Sequence, residues 1–181
     1  MSVLRQRKCD RVRKRLTDVL EMPPSAPGEK LMTDSDVRSS STRYARCNCG
    51  SLRLSLPEEP SKIVVACHCI DCQRRTGAPF GVGAYYPAKI VAISGVSKEF
   101  THAAASGGEM HNYFCPQCGS TVYWTVTNLP SMIGVAVGAI ANPKYPAPVI
   151  SVFEQSKHDW VQIDGAVEHF RENYQPKKNS S

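Results

Sequence analysis

Cysteine spacing constrains this chain more than any other feature. Seven of its eight cysteines fall in three tight groups, Cys47-x-Cys49, Cys67-x-Cys69-x-x-Cys72 and Cys115-x-x-Cys118, and Cys9 alone lies outside them. Sulfurs two or three positions apart reach one ion when a tight turn separates them, so the pattern reads as metal ligation. The density is below that of a small disulfide scaffold, and the chain shows no apolar core of a secretory signal. A reducing, cytoplasmic compartment is therefore expected, with the thiols free for metal. Zinc takes four ligands in a closed structural site and often three protein ligands in a catalytic one, and seven divides into four plus three.

The groups differ in their flanks. Cys49 precedes Gly50 and Cys118 precedes Gly119, with Pro116 inside the second turn. Glycine there permits the left-handed backbone that brings amides toward a thiolate. Cys47, Cys49, Cys115 and Cys118 are thus expected to form one split structural zinc site tying distant strands together. The middle group has no flanking glycine and follows the β-branched run Ile63-Val64-Val65-Ala66. Cys67, Cys69 and Cys72 are expected at a strand end, holding a second zinc with its fourth position open. Two alternatives stand beside this. A fourth protein ligand, His68, His102 or His111, closes the site, or the cysteines do redox chemistry, although no βαβ pattern accompanies them.

Charge separates a tail from the rest. Arg5, Arg7, Lys8, Arg11, Arg13, Lys14 and Arg15 crowd the first 20 residues, while the chain from Tyr44 onward is close to neutral. The segment from Pro23 to Ser41 is rich in Pro, Ser, Gly and Asp and reads as a linker. The expected organisation is a disordered basic tail and linker over 1–43, a folded domain over 44–170, and a polar tail over 171–181. The basic segment is open to three readings: a solvated extension, a transit peptide impaired by Asp10, Asp18 and Glu21, or sequence upstream of a true start at Met32. No run approaches the roughly 20 apolar residues that cross a bilayer, so no membrane partner is expected. The near-neutral domain offers no basic patch for nucleic acid, which leaves the tail as the only such contact.

The domain reads as mainly β. Short strands are predicted at Leu52–Leu56, Lys62–Cys67, Gly81–Tyr86, Val91–Ser94, Glu109–Phe114, Thr121–Thr125, Ile133–Val137 and Val149–Phe153. Turn signals separate them, among them Pro57, Pro87, Ser94-Gly95, Gly107-Gly108 and Asn142-Pro143. The apolar run Met132 to Ala141 is predicted as buried strand, and helical turns are predicted only at Ile70–Thr76 and Ser156–Trp160. Phe80, Tyr85, Tyr113, Tyr123, Trp124 and Trp160 are assigned to packing.

In order, C-x-C-G, C-H-C-x-D-C-Q-R-x-T-G-x-P-F, F-C-x-x-C-G-S, a Gly-rich strand and a late Trp resemble the glutathione-dependent formaldehyde-activating enzymes, whose domain family includes centromere protein V. The resemblance spans about Tyr44 to Phe170. It implies a small β-tent-like fold of short antiparallel strands. It also implies a structural zinc on Cys47, Cys49, Cys115 and Cys118, and a catalytic-type zinc on Cys67, Cys69 and Cys72. The implied activity is that of a carbon–sulfur lyase, in which glutathione adds to formaldehyde or a related small aldehyde to give S-hydroxymethylglutathione. Glutathione carries two carboxylates, and Arg74, Arg75, Thr76 and Gly77, directly after the ligand turn, are the expected contacts. The alternative is a non-catalytic zinc module whose basic tail meets nucleic acid or an acidic partner.

Overall fold

A computed structural model describes residues 43–165 and 167–175. The basic tail, its linker and the last six residues of the chain lie outside the described residues.

Among the described residues, eleven strands and two short α-helices follow in order: β1 Arg43–Arg46, β2 Arg53–Leu56, β3 Val64–Cys67, α1 Ile70–Thr76, β4 Gly81–Pro87, β5 Ala92–Ser94, β6 Lys98–Ala103, β7 Glu109–Phe114, β8 Thr121–Val126, β9 Met132–Ala136, α2 Val137–Ile140, β10 Ile150–Val152 and β11 Glu168–His169. Strands β1, β2 and β5 form a small antiparallel sheet. The other eight form a large one in the order β11-β10-β3-β4-β9-β8-β7-β6. The molecule is mainly β, as the residue pattern predicts.

Alternation of side chains assigns the faces of the large sheet. Val64 of β3, Ala84 and Tyr86 of β4, and Ile133 and Val135 of β9 join Leu52, Leu54 and Leu56 in one buried cluster. Each of the larger aliphatic side chains there contributes about 1.5–3 kcal/mol by leaving water. The intervening residues face the other way, and the register lines them up. Ile150 sits opposite Val65 and Val65 opposite Gly83, while Cys67 sits opposite Gly81. Further along, Tyr85 pairs with Gly134, Gly134 with Trp124, and Trp124 with Asn112. This second face carries the cavity described below.

Glycine is required where β4 and β9 pass beneath Trp124. A Cβ on Gly83 would lie 2.5 Å from the indole, and one on Gly134 would also collide with it. Their absence lets the ring lie close to the sheet. A Cβ on Gly81 would meet the Arg75 guanidinium at 2.8 Å, so the third glycine makes room for that side chain.

Several expectations are corrected. The run Met132 to Ala141 is not one strand: it breaks after Ala136 into α2, which ends on Ala141 in a left-handed conformation. The helical turn predicted at Ser156–Trp160 lies earlier, at Glu154–Ser156. Strands β1, β6 and β11 were not predicted. Strand β10 runs parallel to both β3 and β11 amid otherwise antiparallel pairs. Residues 171–174, expected in a tail, take part in the fold: Phe153 and Gln155 donate backbone hydrogen bonds to the carbonyls of Glu172 and Arg171, and Tyr174 packs on Phe170. Trp160, expected to pack, is 71% exposed, with the His158 ring 5.6 Å from its own.

Candidate functional site

The two glycine-bearing knuckles converge. The Cys47 turn closes β1 onto β2, with Gly50 donating to the Cys47 carbonyl at φ 75°. The Cys115 turn joins β7 to β8, with Gly119 donating to the Cys115 carbonyl at φ 73°. The same local geometry thus arises twice, and the four Sγ atoms of Cys47, Cys49, Cys115 and Cys118 lie within 4.8 Å of one another. Cys47 and Cys49 are 3.5 Å apart and Cys49 and Cys115 3.6 Å, too far for a disulfide. Ligands on a tetrahedral zinc, at about 2.3 Å from sulfur to metal, stand about 3.7 Å apart. The donor set therefore fits such an ion. Donors surround the sulfurs: the Leu52 amide reaches Cys47 at 3.3 Å, and Ser51 lies 3.0 Å from Cys49. The Ser120 hydroxyl, 3.3 Å from Cys118, holds that thiol down to about 5.

The second set stands where β3 hands over to α1. Cys67 ends the strand, Cys69 caps the helix by accepting from the Cys72 amide, and Cys72 sits in the first turn. Their three sulfurs also lie within 4.8 Å of one another, so this group could hold a metal ion as well. Hydrogen bonds from Cys67 and Cys72 hold the Cys69 thiol well below its ordinary range, while the same contacts and burial push Cys67 up. Among the described residues no histidine or carboxylate joins either group.

The three histidines considered as closing ligands are engaged elsewhere. His68 is fully buried, and its Nε2 lies 3.2 Å from the Ser151 hydroxyl. Ser151 donates its one proton to Glu154, so it accepts from His68, whose Nδ1 is then a lone pair without a partner among the described residues. His102 donates Nδ1–H to the Ala103 carbonyl and accepts from Asn112, while His111 pairs with Glu99 and Thr101.

The ligand turn is held by a residue that spacing does not flag. Gln73 donates to the His68 and Ser156 carbonyls at 2.8 and 2.9 Å, and its Oε1 lies 3.1 Å from His158. It fastens α1 to the segment after β10. Of the four expected glutathione contacts, Arg75 alone lines the main cavity. Its guanidinium lies 4.5 Å from the Trp124 ring and 4.0 Å from the Cys72 sulfur. Arg74 points to solvent, Thr76 donates to the Cys72 carbonyl at 2.8 Å, and Gly77 ends α1 with φ 63°. Thr76 and Arg75 border a smaller cleft with Arg46.

Cys67, Cys69 and Cys72 all line a cavity of about 530 Å³ across the second face of the large sheet. Cys67 and Gly81 lie at the sulfur end, with Val65, Tyr85, Trp124 and Ile150 along the sheet. Tyr85 and Trp124, assigned to packing by sequence, are wall residues here; the Trp124 Nε1–H donates to the Tyr85 hydroxyl at 3.3 Å. Asn112 and Met110 of β7 are further lining residues that the sequence pattern missed. Alternation within β7 and β8 was their only signal.

Together, the folded sheets, the paired cysteine knuckles and a three-sulfur group at a cavity define a class of cysteine-rich, mainly β domains built to hold metal. Residues 42–156 match the family described as glutathione-dependent formaldehyde-activating enzyme, and the chain belongs to that family. The crystal structure of a Rhodobacter sphaeroides protein is similar at 19% identity and a TM-score of 0.45, covering 56% of this chain and 92% of that one. No curated protein matches the chain. No helix among the described residues is long and apolar enough to cross a membrane.

Proposed function

We propose that the chain is a zinc-dependent enzyme of the carbon–sulfur lyase type, adding glutathione to formaldehyde or a related small aldehyde to give S-hydroxymethylglutathione. The observation that carries this reading is the Cys67, Cys69 and Cys72 set, which has three sulfurs, no fourth histidine, cysteine or carboxylate donor among the described residues, and a cavity beside it. Zinc bound there would lower the pKa of an added thiol and raise its thiolate fraction at neutral pH. A second zinc, on Cys47, Cys49, Cys115 and Cys118, serves the fold.

The chain's own residues do the rest. Gln73 and the buried His68 hold the ligand turn in place. Arg75, pinned between Trp124 and Cys72, offers a fixed cation to a carboxylate of the thiol substrate or to the oxygen that becomes negative on addition. Arg74, Thr76 and Gly77 remain proposed contacts for the peptide part of glutathione outside the cavity.

The test is the rate of hemithioacetal formation with metal-loaded protein, measured beside the spontaneous reaction of the same thiol and aldehyde. Acceleration that Cys69→Ser abolishes, with metal retained at the four-cysteine site, is the expected result. No acceleration over the spontaneous rate by fully metallated wild-type protein would overturn the reading.

A further inference from the structure

We propose that Tyr85 is a catalytic residue of this site, giving its hydroxyl proton to the carbonyl oxygen of formaldehyde or a related small aldehyde as the thiol adds. This rests on the thiol–aldehyde reading of the Cys67, Cys69 and Cys72 site and assigns its proton donor.

Strand geometry aims the phenol at the sulfurs. Side chains alternate along β4, so Gly81, Gly83 and Tyr85 share one face. Gly81 sits opposite Cys67, and a Cβ on it would lie 3.5 Å from the Cys72 Cβ, which marks the sulfur end of the strand. A Cβ on Gly83 would lie 3.5 Å from the Tyr85 ring, so that ring leans back along β4 in the direction of Gly81. The remaining step from Gly83 to Gly81 is only about 7 Å. The phenol is close enough to Cys67 and Cys72 for negative charge on either sulfur to act on it.

The proton itself is uncommitted. The Tyr85 oxygen accepts the Trp124 Nε1–H at 3.3 Å, which holds the hydroxyl in place but uses a lone pair. Among the described residues nothing accepts the Tyr85 proton. Tyr85 is only partly buried and lines the same cavity as the three cysteines, so the proton is left for an occupant. Burial pushes the phenol above its ordinary range, which keeps it protonated at neutral pH.

No neighbour does this as well. Arg75 lies on the same indole and can face a negative oxygen, but a guanidinium does not give up its proton. His102, also at the cavity, has its Nδ1–H on the Ala103 carbonyl and its Nε2 on Asn112. A small carbonyl needs only the room between the phenol and the sulfurs, and the rest of the cavity is left to the thiol. In the step, the thiol sulfur bonds to the carbonyl carbon, the C=O π pair moves to oxygen, and that oxygen takes the Tyr85 proton. The proton released by the thiol restores the phenol. Nothing is oxidised or reduced.

The experiment uses the full chain, metal-loaded, with glutathione and formaldehyde, each rate corrected for the spontaneous reaction. Tyr85→Phe should lower kcat by about 100-fold, the scale of a lost general acid or oxyanion donor. Its metal content, and the response of the cobalt-loaded form to glutathione, should stay those of wild type. Fluorotyrosine placed at position 85 keeps the ring and the hydroxyl but ionises at lower pH. It should restore the rate at neutral pH and move the alkaline limb of the kcat profile to lower pH, which a merely structural hydroxyl would not do. If Tyr85→Phe is metal-poor or unfolded, the fluorotyrosine protein decides, and an alkaline limb that stays in place overturns the proposal. A folded Tyr85→Phe protein with kcat within about threefold of wild type overturns it as well and leaves the thiol–aldehyde reading intact. No acceleration by the wild-type protein overturns both.

Discussion

Glu154 shows how much a single side chain can report about the region behind the ligand turn. It accepts from the Ser151 hydroxyl and pairs with His169 at 2.7 Å and Lys157 at 3.2 Å. Burial works against its charge, yet the bonds from Ser151, His169 and Lys157 prevail and hold its carboxyl down to about 2. A carboxylate whose folded value lies below its ordinary 4.5 stabilises the fold above that pH, and the contribution drains away as pH falls toward about 2. Glu154→Gln should therefore flatten the acid limb of the stability curve, measured as the denaturation midpoint between those values. An unchanged acid limb would mean that these pairs contribute nothing. Residue identity made the seven grouped cysteines legible in the sequence, because close spacing and flanking glycine act locally. The burial of His68 and the stacking of Arg75 on Trp124 were not legible. Each depends on strands far away in the chain, β10 for the first and β8 for the second.

Among the elements, α1 decides the geometry of the second cysteine set. It is seven residues long, too short to be stable alone, so its position is set by what holds it. Gln73 is the main tie, with three polar contacts to residues 68, 156 and 158. Gln73→Ala should lower metal affinity at Cys67, Cys69 and Cys72 by about 10- to 100-fold, the usual cost of losing a supporting contact behind a ligand. The four-cysteine site should keep its affinity. Competition with a chromophoric chelator separates the two, and equal loss at both sites would point to general unfolding instead. Strand prediction succeeded where side chains alternate, as in β2, β3 and β4. It failed at β6, where five of the six residues are exposed and no apolar periodicity exists. Its pairing with β7 is read only from the partner's register. The break between β9 and α2 was hidden because both halves are apolar.

At the scale of the molecule, the small sheet and the large one share a single core on one face, and the four-cysteine group clasps them at its edge. Metal bound there would add its binding free energy to the stability of the domain. Cys118→Ser should give metal-poor protein with a much lower Tm, and a well-folded, fully metallated variant would contradict a structural role. The opposite face of the large sheet is left to the cavity and the three-sulfur group, so the core and the candidate site occupy different sides of one sheet. The central claim is that the second group is open to an incoming thiol. Cobalt loaded at both sites reports this directly, because its visible absorption changes with each new ligand. On adding glutathione, the spectrum should change by an amount that one site accounts for, and Cys69→Ser should abolish the change while the four-cysteine band persists. A fully cobalt-loaded wild-type protein whose spectrum ignores glutathione would contradict the account.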